Sequence, residues 1–219
     1  MKPTLFKTLS VLALVSLLSP LHASTEILLY PLARAFGGPS ESELVKCRQA
    51  FQQLQSNLGT SRLVVQPVLS QPKYSPENKA VWRQDLAEAL RREIGSKSGA
   101  KLEAPENTPV VTPTDFGHNQ MRYLWSRAAE YGKWVKSTHP AGDYVLFTEV
   151  FAREGKVGAI QVFVLDTSGQ LAYCRLFNSH QFGPNLASQG DEAIRLIVKH
   201  LFDDLAKEPK KIFPPYGVG

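Results

Sequence analysis

The residue types that most often carry chemistry are thinly spread in this chain. After the first 23 positions the histidines are His118, His139, His180 and His200. None stands three or four residues from another and no His-Glu-x-x-His occurs, so no metal site is legible. His118 with Asp115, and His180 with Glu149, would serve as acid–base pairs of a hydrolase if the fold brought them into one cleft. His200 flanks an apolar helical stripe and reads as a packed or half-exposed side chain. Asp166-Thr167-Ser168-Gly169 has the residue types of an aspartic-protease loop, but Gly does not directly follow the Thr and no second acidic loop exists. A hairpin turn explains it better. Ser70-Gln71-Pro72-Lys73 puts a proline between Ser and Lys and has no Lys-Thr-Gly to accompany it. Gly95 to Lys101 is rich in phosphate-loop residues at the wrong spacing, and serves as a helix-to-strand connection. These patterns name no catalytic residue, no metal ligand and no cofactor.

The two cysteines, Cys47 and Cys174, have no Cys-x-x-Cys partner, which argues against redox catalysis. They read either as one disulfide of an exported protein or as two buried apolar thiols. A bridge would close a loop of more than about 100 residues and add ~4–5 kcal/mol by chain entropy.

One group of residues points to binding. On a helix from about His118 to Ser137, Met121, Leu124, Trp125, Ala128, Gly132 and Val135 form an apolar stripe. Tyr123, Arg127 and Trp134 lie opposite it at 100° per residue, with Tyr131 beside them. Aromatic residues with Arg are the composition of a protein-binding surface. The alternative is a helix covered on both sides, for instance by the helix that carries Leu44 to Leu58.

Around that helix the periodicity sets the remaining elements. Ser40-Glu41-Ser42-Glu43 is a capping box that opens a helix with Leu44, Cys47, Phe51, Leu54 and Leu58 on one face, stopped by Gly59. Arg62 to Leu69 is a strand in which Pro67 requires an edge position or a bulge. Ser75-Pro76 opens a second helix with Trp82, Leu86, Ala89 and Leu90 inward, and Lys101 to Ala104 is a short second strand. After the Tyr123 helix the period drops to two, giving strands over Asp143–Phe151, Val157–Asp166 and Gln170–Asn178 joined by hairpins. Apolar residues on both faces of the middle one require cover on both sides. A last helix, Gln189 to Lys207, buries Ile194, Ile197, Val198, Leu201 and Leu205. The order β-α-β-α-β-β-β-α predicts an α/β fold: a mixed sheet of about five strands, parallel early and antiparallel late, with helices packed on it and an extra amino-terminal helix.

Composition narrows the setting. The chain has 219 residues, 43% of them hydrophobic, an ordinary globular balance. Residues 1–23 read as a secretory signal peptide: Lys2 and Lys7, an apolar run, Pro20 and a cleavage point near Ala23. As an uncleaved anchor the uninterrupted run from Val11 to Leu18 falls short of the roughly 20 residues a span requires. No Cys follows it, so no lipid anchor is expected. Without this segment the net charge falls from +5 to +3, too little for a nucleic-acid footprint. The mature chain then divides into an amino-terminal segment and helix (24–61), the α/β core (62–207) and a flexible, solvated tail (208–219).

The element order, with Ala141-Gly142-Asp143-Tyr144-Val145-Leu146 and Leu165-Asp166-Thr167-Ser168-Gly169, resembles a bacterial envelope family. Its members include the amino-terminal domain of TolB and similar domains of the curli secretion lipoprotein and the penicillin-binding-protein activator lipoproteins. The resemblance spans about Arg62 to Lys207 and implies an adaptor or assembly module, with no catalytic residue carried over. Departures are Phe147-Thr148-Glu149, where the family more often has a Gly, the missing lipid-anchor Cys and the absence of a propeller. The expectation is a periplasmic or secreted, non-enzymatic binding module that contacts an envelope protein through the Tyr123/Arg127/Trp134 face or a sheet edge. A periplasmic hydrolase using His180, Glu149 or His118, and a homo-oligomeric structural protein, are the alternatives.

Overall fold

The computed structural model describes residues 38–70, 81–109, 120–153, 156–178 and 190–213. The signal peptide, the Ser75-Pro76 helix start, His118, His180 and the first hairpin turn lie outside the described residues. Elements in chain order are α1 (Glu41–Asn57), β1 (Arg62–Val65), β2 (Leu69–Ser70), α2 (Val81–Ser98), β3 (Lys101–Glu103), α3 (Gln120–Thr138), β4 (Tyr144–Arg153), β5 (Lys156–Asp166), β6 (Leu171–Asn178), α4 (Gly190–Leu205) and the single turn α5 (Pro209–Ile212).

The sheet runs β3-β1-β4-β5-β6. β1 pairs in parallel with both β3 and β4, while β4–β5 and β5–β6 are antiparallel. This is the mixed α/β sheet that the order of periodicities predicts. β2 continues β1 along β4: Val65 pairs with Leu146 and Leu69 with Glu149. Four steps on one strand therefore match three on the other, and the extra residue falls at Gln66–Val68. Pro67 sits in this bulge, beyond the end of β3, where its missing N–H interrupts no ladder.

Two helices cover one face and one covers the other. Leu63 and Val65 of β1 face α2, whose Arg91 Nη2 donates to Val65 O at 3.1 Å. On the same face Tyr173 of β6 donates to Asp204 of α4 at 2.9 Å. Val64 and Phe147 point the opposite way, toward α3, where Tyr131 stacks on Phe147 with ring centroids 4.1 Å apart. β5 is covered on both faces, with Ile160, Val162, Phe163 and Leu165 all buried.

α1 opens with the predicted capping box: Ser40 Oγ accepts from Glu43 N at 3.3 Å and Glu43 Oε2 accepts from Ser40 N at 2.6 Å. Its apolar stripe is buried along β6, where Phe51 stacks on Tyr173. Helix cover is a common protection for an edge strand. Residues 209–213 correct the expectation of a flexible tail. α5 places Phe213, 2% exposed, between Phe51 and Trp125, and Arg48 Nη1 holds its carbonyl at 3.1 Å. Phe213, two residues beyond Lys211, supplies the burial that anchors this segment.

The Asp166–Gly169 segment is a turn. Asp166 Oδ1 accepts from Ser168 N and Gln170 N, both at 2.9 Å, and Gly169 takes φ +73°. A Cβ on Gly169 would stand 2.3 Å from the carbonyl oxygen of Gly132, so α3 and this turn meet backbone to backbone.

Candidate functional site

The four residues expected to form an exposed binding face divide into three and one. Tyr123, Arg127 and Tyr131 are buried, at 5%, 1% and 0% exposure, so the expectation of an open Tyr123/Arg127 surface is corrected. The physical reason is Glu149. Phe147 and Glu149 share the α3 side of β4, and the carboxylate, itself 0% exposed, draws the polar ends of all three side chains beneath the helix. Arg127 Nε makes an ion pair with Glu149 Oε1 at 2.8 Å. Tyr131 OH donates to the same oxygen at 2.5 Å and Tyr123 OH to Glu149 Oε2 at 3.0 Å. Arg127 Nη2 donates to Tyr123 OH at 3.0 Å, and Nη1 to Glu130 Oε2 at 2.6 Å.

Titration follows from this packing. Burial pushes both tyrosine hydroxyls well above their usual value, and Glu149 adds to the rise. For Arg127 burial works against the charge, but Glu149 and Tyr123 outweigh it and hold the guanidinium protonated. Glu149 is thereby engaged with Arg127 and both tyrosine hydroxyls at once. The outward stripe of α3 is instead Arg122, Ser126, Ala129, Lys133 and Lys136.

Trp134 behaves differently. It is half-buried, edge-on to Phe147 with centroids 5.8 Å apart, and it walls a cavity of about 60 Å³. Val64 and Gln66 line this cavity from the β1 side, Glu103 and Pro105 from the end of β3, and Thr138 and Pro140 from the end of α3. Gln66 is 1% exposed, and neither its Oε1 nor its Nε2 has a hydrogen-bond partner. Its backbone N–H is used in the bulge, donating to Leu146 O at 2.9 Å. A buried amide without partners costs about 1–3 kcal/mol, so a group that enters and bonds to it recovers part of that cost. Sequence reasoning missed Gln66. The signal was a long polar residue directly after Leu63-Val64-Val65, at the bulge that Pro67 announces.

A second polar side chain is buried without a partner. Gln161 pairs across the ladder with Glu149, is 0% exposed, and bonds through neither side-chain atom. It lines neither the Trp134 cavity nor a larger groove of about 420 Å³ between α1 and α3. That groove is lined by small side chains such as Ser126, Ala128 and Gly169 together with Glu43, Arg122 and Trp125. Its buried Cys47 already accepts from Gln170 Nε2 at 3.3 Å.

Both cysteines are free thiols in this structure. Burial pushes each up to about 12. No bridge joins them here: Cys47 is buried and Cys174 half-buried. His200 packs near Phe177, with centroids 5.4 Å apart, and burial followed by Arg175 lowers its pKa. Among the described residues no group of three His, Cys, Asp or Glu side chains is placed to hold a metal, and no helix is long and apolar enough to cross a membrane.

None of the protein families compared with this chain matches it, and neither does any curated protein. Among solved structures the chain is similar to the dodecamer of a PelC point variant from Paraburkholderia phytofirmans. The identity is 13% over 67% of this chain and 88% of that one, with a TM-score of 0.35. A PelC dodecamer from the same organism in a second crystal form gives 12% identity over 66% and 86%, at the same TM-score. A TM-score of that size says nothing about function.

Proposed function

We propose that this chain is an exported, non-enzymatic binding module of the bacterial cell envelope, released by signal cleavage near Ala23, and that it docks a partner protein at the Trp134 cavity. The observation that carries the reading is the partnerless Gln66 amide, buried at the cavity floor. Folding left a polar group unsatisfied at a point a partner side chain can reach, whereas the polar ends of Tyr123, Arg127, Tyr131 and Glu149 satisfy one another. The site sits beside the end of β1, at the Gln66–Val68 bulge that separates it from β2.

The experiment is capture of the mature protein from periplasm after brief cross-linking, with Trp134→Ala beside Lys133→Ala as an exposed control on the same helix. The expected result is one stoichiometric envelope protein, retained by Lys133→Ala and lost by Trp134→Ala. Equal capture by both variants, or monomer alone in every sample, contradicts the reading.

A further inference from the structure

We propose that the Trp134 cavity is a socket for the protonated amine of a lysine side chain presented by the partner; this rests on the docking reading above. Size sets the class of occupant. At about 60 Å³ the cavity holds a few water-sized groups, well short of the roughly 300–1,000 Å³ typical of small-molecule sites. The tip of a side chain fits where a free metabolite does not.

Charge sets its sign. Glu103 and Glu106 stand at the rim, and among the described residues no Lys, Arg or His lines the cavity. Neither glutamate is held in an ion pair among the described residues, so both carboxylates are available to an incoming cation. The apolar walls, Trp134, Pro105 and Pro140, suit a linear methylene stem, and the indole face attracts a cation. At the floor Gln66 Oε1 accepts one of the three ammonium protons. Lysine meets all three requirements: a narrow stem, a compact head and donors only. The planar fork of arginine is wider than this space favours.

The test is a titration of the mature protein with Nα-acetyl-lysine-methylamide, followed by the side-chain N–H signals of Trp134 and Gln66 in nitrogen–proton NMR spectra. Nα-acetyl-norleucine-methylamide, uncharged and of similar stem, is the control. The expected result is saturable movement of both signals with the lysine probe alone. Glu103→Gln and Glu106→Gln, both on accessible positions, each weaken it by about two- to fivefold. Equal movement with the norleucine probe, or no movement at the highest soluble concentration of the lysine probe, overturns the proposal. The docking reading fails separately. If Trp134→Ala abolishes capture of the envelope partner while the lysine probe is silent, the surface stands and the lysine does not; if capture ignores Trp134, both fall.

Discussion

Arg127 Nε lies 2.8 Å from Oε1 of Glu149, and both side chains are shut away from solvent between α3 and β4. Desolvating two charges consumes much of what their attraction returns, so the intact pair adds little net stability, but breaking it strands a buried ion. Glu149→Leu or Arg127→Met alone is therefore expected to destabilise the fold by about 3–5 kcal/mol. The double variant Arg127→Met/Glu149→Leu is expected to cost clearly less than the two single changes combined, because neither charge is left behind. Urea unfolding of the four proteins measures this. Additive losses contradict the pairing.

The same logic applied to a group without partners gives the opposite sign. Gln66→Leu replaces a buried, partnerless amide by an apolar side chain and is expected to raise stability by about 1 kcal/mol. It is expected to abolish partner capture at the same time, the usual exchange where a binding site carries a local cost. A urea midpoint that falls on this substitution shows the amide to be satisfied in the native protein.

Acid sensitivity is expected to come from Asp204. Burial alone would raise its carboxyl, but bonds from Arg175, Lys207 and Tyr173 outweigh this and hold it below the usual range. A carboxyl lower in the folded than in the unfolded state stabilises above the unfolded value of about 3.9, and the gain is lost as pH falls through the folded value. Asp204→Asn is thus expected to lower the melting temperature at neutral pH, and the gap to the parent protein is expected to shrink on acidification below about pH 4. Melting curves across the acid range test it. A gap that is constant with pH contradicts the assignment.

Much of this arrangement was legible in the sequence. The capping box at Ser40, the switch of period after α3 and the Pro67 bulge each rest on local rules, and each stands in the structure. Arg127 and its tyrosines misled for a physical reason. Helical phase shows which residues share a face, but not that Glu149, on a strand 22 positions after Arg127, would supply a buried counter-charge. Composition gave Tyr123, Arg127 and Tyr131 the look of a surface, and only the sheet register shows which acid they meet. Gln66 was missed because one polar residue after an apolar run looks like the end of a strand.

The cysteines offer a chemical check. With both thiols pushed up to about 12 by burial, little thiolate exists at neutral pH, and native protein is expected to resist iodoacetamide. Denatured without reductant, it is expected to take up a label at both Cys47 and Cys174. Mass spectrometry reads both results. Label at neither cysteine after denaturation means that the two are bridged in the exported protein.

The most direct measurement of the docking claim places a photo-activated cross-linking residue at Asn107, an exposed position lining the Trp134 cavity. The full-length chain carrying it is irradiated in living cells. The expected result is a single discrete adduct with one envelope protein, lost when Trp134→Ala or Gln66→Leu is added. No adduct, or one indifferent to both substitutions, contradicts docking at this cavity.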